Sequence, residues 1–427
     1  MRTTVFRLGL NGFSSYAALA TIFASAVIAC SSPAADPDPS QAEEGLVQSQ
    51  EQALHGQKLL SELRGGLAFF LGFPGTQDNG RKCGTCHVAE DGFTLTPEHV
   101  EERWQALQAR KVNHPNAEDP LFNSIDADDF ANDFTKLRQN ALIRVNMTLP
   151  TNANGEKLMW PVDDPTATTA GVFRSVPTVL NVAFTGPYQL DGRKQTLQDQ
   201  ALGALHDHSQ IQREPSARSL DDVSAFQSAL FSSPSVRDLS NALANGQPAP
   251  PTDPPLTPLE QQGKVLVTNF CTVTCHVGPT QTKAAPGFEN RQNILVSRPL
   301  PPFVPPPVAA QFLASPLPVR LWAFKNPSPQ PGAPPIVIPS TDPGKAFLTG
   351  NPGDIGQFDQ PPLYGISKTA PYFHDNSAKT IEDVMQHYVG FFQFLQLPQV
   401  VPPNGGPRPP VIQPQFVAPM VAYLKKI

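Results

Sequence analysis

The chain has 427 residues, of which 40% are apolar and 16% charged, and this length suffices for two ordinary domains with hydrophobic cores. It contains 49 prolines, about twice the usual proportion, so a folded chain with long proline-rich loops is expected. The formal net charge of −6 excludes the basic surface that nucleic-acid binding requires.

The first 29 residues have the build of a secretory signal. Arg2 and Arg7 precede an apolar run over 16–28 that is too short to span a membrane as a helix. The run ends in Val-Ile-Ala before Cys30, which is similar to a bacterial lipobox. We therefore expect cleavage and lipidation at Cys30, a flexible tether over 30–51, and a periplasmic protein anchored to a bacterial membrane, with the outer membrane as the expected one. The alternative is an ordinary signal cleavage nearby that leaves Cys30 as a free thiol.

The remaining elements follow in chain order. Apolar residues recur at helical spacing over 52–63, and Gly65-Gly66 predicts the end of that helix. A strand is predicted over 142–145, and the clearest linker is the proline-rich stretch 246–258. Three more helices are predicted over 259–267, 380–388 and 415–425, with Pro419 as a kink or a delayed start in the last one.

Four cysteines follow Cys30, and they form two close pairs that are each followed by histidine: Cys83-Gly-Thr-Cys86-His87 and Cys271-Thr-Val-Thr-Cys275-His276. The first pair has the attachment pattern of a c-type haem, in which both thiols form thioethers and the histidine binds iron. The second has one extra residue, which can loop out without moving the Cys-His unit. Two short disulfides or a zinc site are the alternatives, but neither requires a histidine after each second cysteine.

Two covalently bound haem c groups imply two haem domains. The expected fold is mainly α, with two cytochrome c-like haem domains, long proline-rich loops and little strand. The N-terminal domain covers 52–245 with an insertion at about 95–165. The C-terminal domain covers 259–427 with a proline-rich insertion at about 299–343, which is expected to lie on the surface.

The order of short motifs around the two haem sites resembles that of the bacterial dihaem cytochrome c peroxidases and their relatives of the MauG type. The resemblance covers most of residues 52–427 apart from the two insertions. The motifs that carry it are Phe69-Phe70, Gly92-Phe93-Thr94, Arg174 to Asn181, Leu190 to Arg193, Leu197 to Leu202, Pro361 to Tyr364, Thr369 to Asp375 and Thr380 to Asp383.

This resemblance implies an oxidoreductase of the cytochrome-c peroxidase type that reduces hydrogen peroxide to water. Peroxide is cleaved at the N-terminal haem, and the C-terminal haem receives electrons from a small cytochrome c or a cupredoxin. His87 and His276 are expected to bind iron through one ring nitrogen and to present the other to a backbone or carboxylate acceptor. Dimers occur in the family, so a homodimer is one expectation, and the membrane is contacted only through the lipid anchor.

The resemblance also implies a distal ligand for the second haem. In the family this ligand lies eight residues after the threonine of a Thr-x-Glu turn and is commonly methionine. Counting from Thr380 gives Tyr388, as in the MauG branch. Met385 and His387 are the alternatives, because Met385 lies one helical turn from Tyr388.

Two positions depart from the peroxidase pattern. Leu190 stands where the family commonly has a tryptophan between the haems, so electrons would pass directly or through another aromatic residue such as Tyr188. Gln210 stands where a distal glutamate assists proton transfer, and an amide can position peroxide but cannot act as a general base. His206 or His208 could take that role, or both could be surface histidines.

Two regions bear on calcium. The resemblance implies a Ca²⁺ ion between the domains near Thr369 and Pro371, where Ser175 replaces the usual asparagine. An acidic stretch lacks the turn glycine of a calcium-binding loop. We expect it to be a solvated acidic face, formed by Asp126, Asp128, Asp129 and Asp133.

The sequence is compatible with three functions. The first is the periplasmic peroxidase described above. The second is a MauG-like oxidase that uses peroxide to oxidise an organic or protein substrate, which Tyr388, Leu190 and Gln210 favour. The third is a dihaem electron carrier without catalysis, which would need a strong distal ligand at the first haem, such as His99 or His114.

Overall fold

The computed structural model describes residues 58–72, 78–127, 133–285, 291–327, 332–401 and 408–427. The predicted signal segment, Cys30 and the tether lie outside the described residues. Residues 58–427 belong to one compact unit, and the prediction of a mainly α fold with little strand is confirmed. None of the helices in the described part of the chain has the length and apolar content of a membrane-spanning segment.

The described residues form twelve α-helices. Several begin at a Ser or Thr whose side chain accepts a hydrogen bond from the backbone three residues on, which satisfies an otherwise unpaired amide of the first turn. They are α1 (residues 58–71), α2 (Cys83–Cys86), α3 (Pro97–Asn113), α4 (Thr135–Asn140), α5 (Leu197–Ala204), α6 (Ala217–Ser228), α7 (Pro234–Ala244), α8 (Pro258–Val267), α9 (Pro306–Ala309), α10 (Ala346–Thr349), α11 (Ile381–Phe394) and α12 (Pro414–Leu424).

The predicted helices near the C-terminus are confirmed, and α11 extends six residues beyond the predicted end. The predicted end of the first helix at Gly65-Gly66 is wrong, because α1 continues through both glycines to residue 71. These glycines lie against α6, where a Cβ atom on Gly66 would lie 2.1 Å from the carbonyl oxygen of Asp222. They serve a close helix–helix contact and not a helix end.

Seven strands form three small antiparallel sheets in the described residues. The pairs are β1 with β3, β2 with β5 and β5 with β6, and β4 with β7. The strands are β1 (Leu142–Thr148), β2 (Met159–Pro161), β3 (Thr169–Ser175), β4 (Arg291–Gln292), β5 (Arg320–Phe324), β6 (Ile336–Ser340) and β7 (Phe358–Asp359).

The two predicted insertions share one sheet, since β2 belongs to the first and β5 and β6 belong to the second. Trp322 and Phe324 on β5 are both 0% exposed and pack in a core with Met159 of β2. The expectation that the proline-rich insertion lies on the surface is therefore wrong for its second half. Large aromatic side chains drive this part of the chain into the interior because their burial removes much apolar area from water.

The expected acidic face is wrong at Asp126. This carboxylate is fully buried, lies 2.5 Å from Nη1 of Arg81 and accepts a hydrogen bond from the Arg144 amide at 2.7 Å. Asp133 is exposed and accepts from the amide of Thr135. The other two acidic residues lie outside the described residues.

Candidate haem sites

The first haem motif lies on the short helix α2. The backbone amide of His87 donates to the carbonyl of Cys83 at 2.9 Å, which places both thiols and the imidazole on successive turns. Nδ1 of His87 lies 3.1 Å from the carbonyl oxygen of Phe93. Because a carbonyl can only accept, Nδ1 carries the proton and Nε2 keeps its lone pair for a metal.

The second motif reaches the same arrangement with one more residue. Its first cysteine lies in a π-helix, Thr268–Thr272, which extends α8. The amide of His276 donates to the carbonyl of Cys271, again at 2.9 Å, and Nδ1 of His276 lies 3.1 Å from the carbonyl oxygen of Gln281. A π-turn contains one residue more than an α-turn, so it takes up the extra residue within the helix.

The residues that hold the two imidazoles share an uncommon backbone conformation. Phe93 has φ 60° and Gln281 has φ 59°, both in the left-handed region, where residues other than glycine are rare. Each lies in a loop closed by an antiparallel bridge, Val88 to Thr94 in the first and Val277 to Lys283 in the second. Positive φ at a residue other than glycine costs conformational energy, and such a cost at two equivalent places is typical of functional sites.

The electrostatics of both sites fit an iron-bound imidazole. Burial lowers the pKa of His87 and of His276, while hydrogen bonding to backbone carbonyls, including those of Pro177 and Pro361, opposes the shift. The imidazoles are therefore neutral at pH 7, which is the form that binds a metal.

The four thiols of the two motifs are neutral at pH 7. Burial raises the pKa of Cys83 and Cys271 to about 12 and that of Cys86 and Cys275 to about 11. All four are free thiols, and the described residues contain no group of three or more His, Cys, Asp or Glu side chains suited to a metal ion. The described residues thus contain neither of the two disulfides nor a zinc cluster, and thioether attachment of haem stays a prediction.

An internal repeat follows each motif. The sequence Thr-x-Pro-Tyr occurs at 185–188 and at 369–372, and in both copies the tyrosine forms an antiparallel bridge with the residue six positions later. A threonine then caps a helix in both copies, Thr196 for α5 and Thr380 for α11. The two helices are therefore equivalent elements of the two sites.

These equivalent helices present different side chains. Tyr388 on α11 corresponds to Ala204 at the end of α5, since both lie eight residues after the capping threonine. Burial raises the pKa of Tyr388, and the neighbouring thiols of Cys275 and Cys271 raise it further, so its hydroxyl faces the second motif.

The two alternatives to Tyr388 lie elsewhere on α11. Met385 is buried in an apolar cluster with Phe270 and Met420. Nε2 of His387 lies 2.8 Å from the carbonyl of Ile294, and its Nδ1 accepts from the amide of Leu313 at 3.4 Å. Since both ring nitrogens of His387 are bound to backbone, neither is free for a metal.

The three polar candidates at the first site are placed differently. His206 is half exposed, with Nε2 3.1 Å from a carboxylate oxygen of Glu214. His208 is partly buried, its buried Nδ1 has no hydrogen-bond partner in the described structure, and burial lowers its pKa to about 4, with the charge of Arg81 as the next cause. His87 contributes to the same shift, so of the two histidines His208 is the one that faces the first motif.

The chain turns sharply where α5 ends. Residues Leu205–Ser209 form a π-helix, and Gln210 follows with φ 51°. Gln210 is exposed, and its side-chain oxygen accepts from Asn79 at 3.1 Å. Asn79 also donates to the carbonyls of His208 at 2.9 Å and Ser209 at 3.0 Å. Sequence reasoning missed Asn79, because only the π-turn brings it to this loop.

Comparison with known proteins agrees with this geometry. The family model for di-haem cytochrome c peroxidase matches residues 76–245. Residues 76–245 are therefore similar to the di-haem cytochrome c peroxidase family. The family supports a peroxide-related function with two haems, and it covers the first motif, the first copy of the repeat and the loop of His208.

Solved structures and curated proteins were compared as well. A MauG-like protein associated with microbial copper homeostasis is 18% identical over 86% of this chain and 88% of its own, with a TM-score of 0.40. The hydrazine synthase of Kuenenia stuttgartiensis is 16% identical over 72% of this chain and 86% of its own, with a TM-score of 0.33. No curated protein matches the chain.

A buried ionic network lies beside Leu190, at the position where the resemblance implies a tryptophan. Arg174 donates to both carboxylate oxygens of Asp342, at 2.6 and 2.9 Å, and to Asp191 at 2.6 Å. Its guanidinium also lies 5.7 Å from the ring centre of Phe358, whose other neighbour is the His374 ring at 4.1 Å. Through Arg174, the end of the proline-rich insertion at Asp342 is thus tied to Asp191, the residue after Leu190.

Ser175 joins two segments near the place where the peroxidase resemblance implies calcium. The amide of Ser175 donates to the carbonyl of His374 at 2.7 Å, and its hydroxyl donates to that of Phe373 at 3.0 Å. The hydroxyl of Thr369 donates a hydrogen bond to the carbonyl of Ile366. Ser175, at the position implied for the asparagine, thus uses its hydroxyl on backbone, and a calcium ion near Thr369 and Pro371 stays a prediction.

Proposed function

We propose that this protein is an exported dihaem c-type peroxidase, which reduces hydrogen peroxide to water with electrons from a small cytochrome c or cupredoxin. The observation that carries the proposal is the repeated site in which one copy of the capped helix presents Tyr388 and the other presents Ala204. One site then has a side chain suited to closing a metal's distal position, and the other leaves that position open to a small substrate.

The first site is proposed as the place of peroxide reduction. Thioethers from Cys83 and Cys86 and the Nε2 atom of His87 would hold a haem, whose iron supplies the electron exchange. The O–O bond breaks, two electrons and two protons are taken up, and two waters leave. His208 is the side chain proposed to hold and deliver a proton, because it is neutral, its buried Nδ1 has no hydrogen-bond partner, and it lies near this motif, while Gln210 is exposed.

The second site is proposed to collect electrons. Cys271 and Cys275 would attach the haem, and His276 and Tyr388 would bind on its two faces. A filled distal position suits electron transfer more than substrate binding. With Leu190 in place of tryptophan, electrons would pass between the sites without an oxidisable residue at that position.

A MauG-like oxidase is the second candidate, with an organic or protein substrate. Tyr388 favours it, because a phenolate oxygen stabilises the oxidised metal more than a thioether does. Leu190 favours it as well. In this case the electrons would come from the substrate and not from a small redox protein.

The proposed location and partners follow from the sequence. Lipidation at Cys30 would anchor the protein to a bacterial membrane on the periplasmic side, and hydrogen peroxide and the electron donor would reach it there. A homodimer remains a prediction. The net charge of −6 argues against a nucleic-acid partner.

Stopped-flow absorption of the haem-loaded protein mixed with hydrogen peroxide tests the proposal, both as isolated and after partial reduction. Turnover on addition of reduced cytochrome c supports the peroxidase, and an oxidised state that ignores cytochrome c supports the oxidase. His208→Leu should slow the peroxide reaction by about 100-fold or more, the lower range for loss of a proton-transfer group. His206→Ala is the control and should react at the rate of the unsubstituted protein. No reaction in either redox state would leave an electron carrier.

A further inference from the structure

His387 lies on a different side of α11 from Tyr388. Consecutive residues of an α-helix point about 100° apart, so the side chain before Tyr388 meets a different part of the protein. His387 is 0% exposed. Its two ring nitrogens bind the carbonyl of Ile294 at 2.8 Å and the amide of Leu313 at 3.4 Å. One side chain therefore ties two points of the chain, 19 residues apart, to the helix.

Residues 294–313, named here the strap, pack along this side of α11. The ring of Phe312 meets the ring of His387 edge-on, with centroids 5.0 Å apart. Gly390, almost one turn further along α11, permits the approach, because a Cβ atom there would lie 2.9 Å from Phe312. Gln311 accepts a hydrogen bond from Gln386, and α9, within the strap, also packs on α11.

The other sides of α11 are fixed by the core and by the second motif. Met385 packs in the apolar cluster that includes Phe270, and Tyr388 faces the thiols of Cys271 and Cys275. A rotation of α11 about its own axis would therefore move the contacts with the strap and the Tyr388 hydroxyl together. An atom about 6 Å from the axis moves about 2 Å when a helix turns by about 20°, whereas a metal–ligand distance tolerates only about 0.2 Å.

We propose that His387 is a positioning residue, which sets the rotation of α11 by binding the strap and thereby holds the Tyr388 hydroxyl at the distal side of the second haem. This inference rests on the proposed function of Tyr388 as a ligand. It gives the start of the proline-rich insertion a role, since the strap overlaps residues 299–313 of that insertion and decides where the ligand lies.

The chemistry of His387 suits this role better than that of an apolar residue. The carbonyl of Ile294 needs a donor and the amide of Leu313 needs an acceptor, and a neutral imidazole supplies both. A leucine of similar size would leave two partly buried backbone groups without these partners, and the strap would have to move to regain the two hydrogen bonds. A glutamine has one donor and one acceptor group on its amide, so it can replace both bonds.

The test compares variants of the haem-loaded protein by electron paramagnetic resonance and visible absorption of the ferric second haem. Tyr388→Phe defines the signal that depends on the tyrosine. His387→Leu is expected to lose that signal in part or in full, and His387→Gln is expected to restore it. Gly390→Ala provides a second route, because its methyl group displaces Phe312 while Ala favours the helix. Gln386→Ala, which removes an exposed contact with the strap, is the control and should retain the signal.

The outcomes separate the two proposals. If Tyr388→Phe leaves the spectra unchanged, Tyr388 is not a ligand and the proposed arrangement of the second site fails. If Tyr388→Phe changes them while His387→Leu and Gly390→Ala both keep the native signal, the positioning role alone is overturned. A purely structural His387 would lower the midpoint of thermal unfolding in His387→Leu without moving the spectrum of the folded protein.

Discussion

The amide of His276 bonds to the carbonyl of Cys271 at 2.9 Å, which is the length of the bond between His87 and Cys83. The bond in the second motif joins residues five positions apart, whereas the bond in the first motif joins residues four positions apart. The two motifs therefore present the same Cys-His unit through turns of different size. The π-turn accounts for this, since it adds one residue to a helical turn while keeping the following residue in hydrogen-bond reach. Haem attachment then depends on the position of the Cys-His unit and not on the spacing itself.

The first prediction concerns this spacing. Deleting Val273, whose side chain is 54% exposed, converts the second motif to two residues between the thiols and replaces the π-turn with an α-turn. We expect the deletion variant to carry two haems, as measured by the intact mass of the purified protein. Replacing Cys271 and Cys275 together by serine is the control and should leave one haem. Loss of the second haem on deletion would show that the extra residue is required.

The second prediction compares the two left-handed residues that hold the imidazoles. Gln281→Gly should raise the free energy of unfolding by about 1 kcal/mol, because glycine adopts positive φ without the cost that other residues have. Its buried side-chain oxygen, which has no partner among the described residues, is removed as well. Phe93→Gly, with the same φ, should instead lose about 2 kcal/mol or more, since the ring packs against Phe70. Denaturant unfolding followed by haem absorption measures both, and a loss of stability in Gln281→Gly would contradict the strain argument.

The sequence was sufficient for features set by local spacing. The Cys-His units and the capped helices depend on neighbours within a few residues, and the helices beginning after Thr257 and Thr380 occur where they were predicted. The choice between His206 and His208 could not be made, because a π-turn at 205–209 changes which side chain faces inward. Pairing of β2 with β5 joins parts of the chain about 160 residues apart, and no local pattern encodes such a contact.

The third prediction concerns the buried network at Arg174. Asp342→Asn removes one of the two carboxylates that hold this guanidinium, and removing one partner from a buried ion pair costs about 3–5 kcal/mol. We expect a matching fall in the free energy of unfolding. The control is Asp163→Asn, which breaks the exposed pair with Arg320 at 2.8 Å and should cost less than about 1 kcal/mol. Equal losses in the two variants, measured by denaturant unfolding, would argue against a dominant role of the network.

The fourth prediction is a pH dependence of stability. Burial raises the pKa of Asp359 to about 7, although Arg291 and Lys283 oppose the shift, whereas an aspartate in an unfolded chain has a pKa of about 3.9. Between these values the folded protein retains a proton that the unfolded chain releases, so this group makes stability fall as the pH rises from about 4 to about 7. Above about pH 7 the effect is constant.

Asp359→Asn keeps the side chain neutral in the folded and the unfolded protein. It should therefore remove the part of the fall in stability with rising pH that Asp359 causes. The urea midpoint measured between pH 5 and pH 8 should therefore change less with pH in the variant than in the unsubstituted protein. Asp163→Asn changes an exposed carboxylate and should leave the pH dependence as it is. The same slope in Asp359→Asn and the unsubstituted protein would exclude Asp359 as its source.

The last prediction concerns metal removal. Ser175 joins the two segments through bonds of 2.7 and 3.0 Å to the carbonyls of His374 and Phe373, so no ion is needed to hold them. A calcium chelator should leave the haem spectra and the unfolding midpoint of the purified protein unchanged. Ser175→Ala keeps the amide bond and loses the hydroxyl bond, which should cost about 1 kcal/mol, and added calcium should not restore it. If the chelator shifts the spectra and calcium reverses the shift, the ion is part of the protein and the bonds of Ser175 are not sufficient to join the two segments.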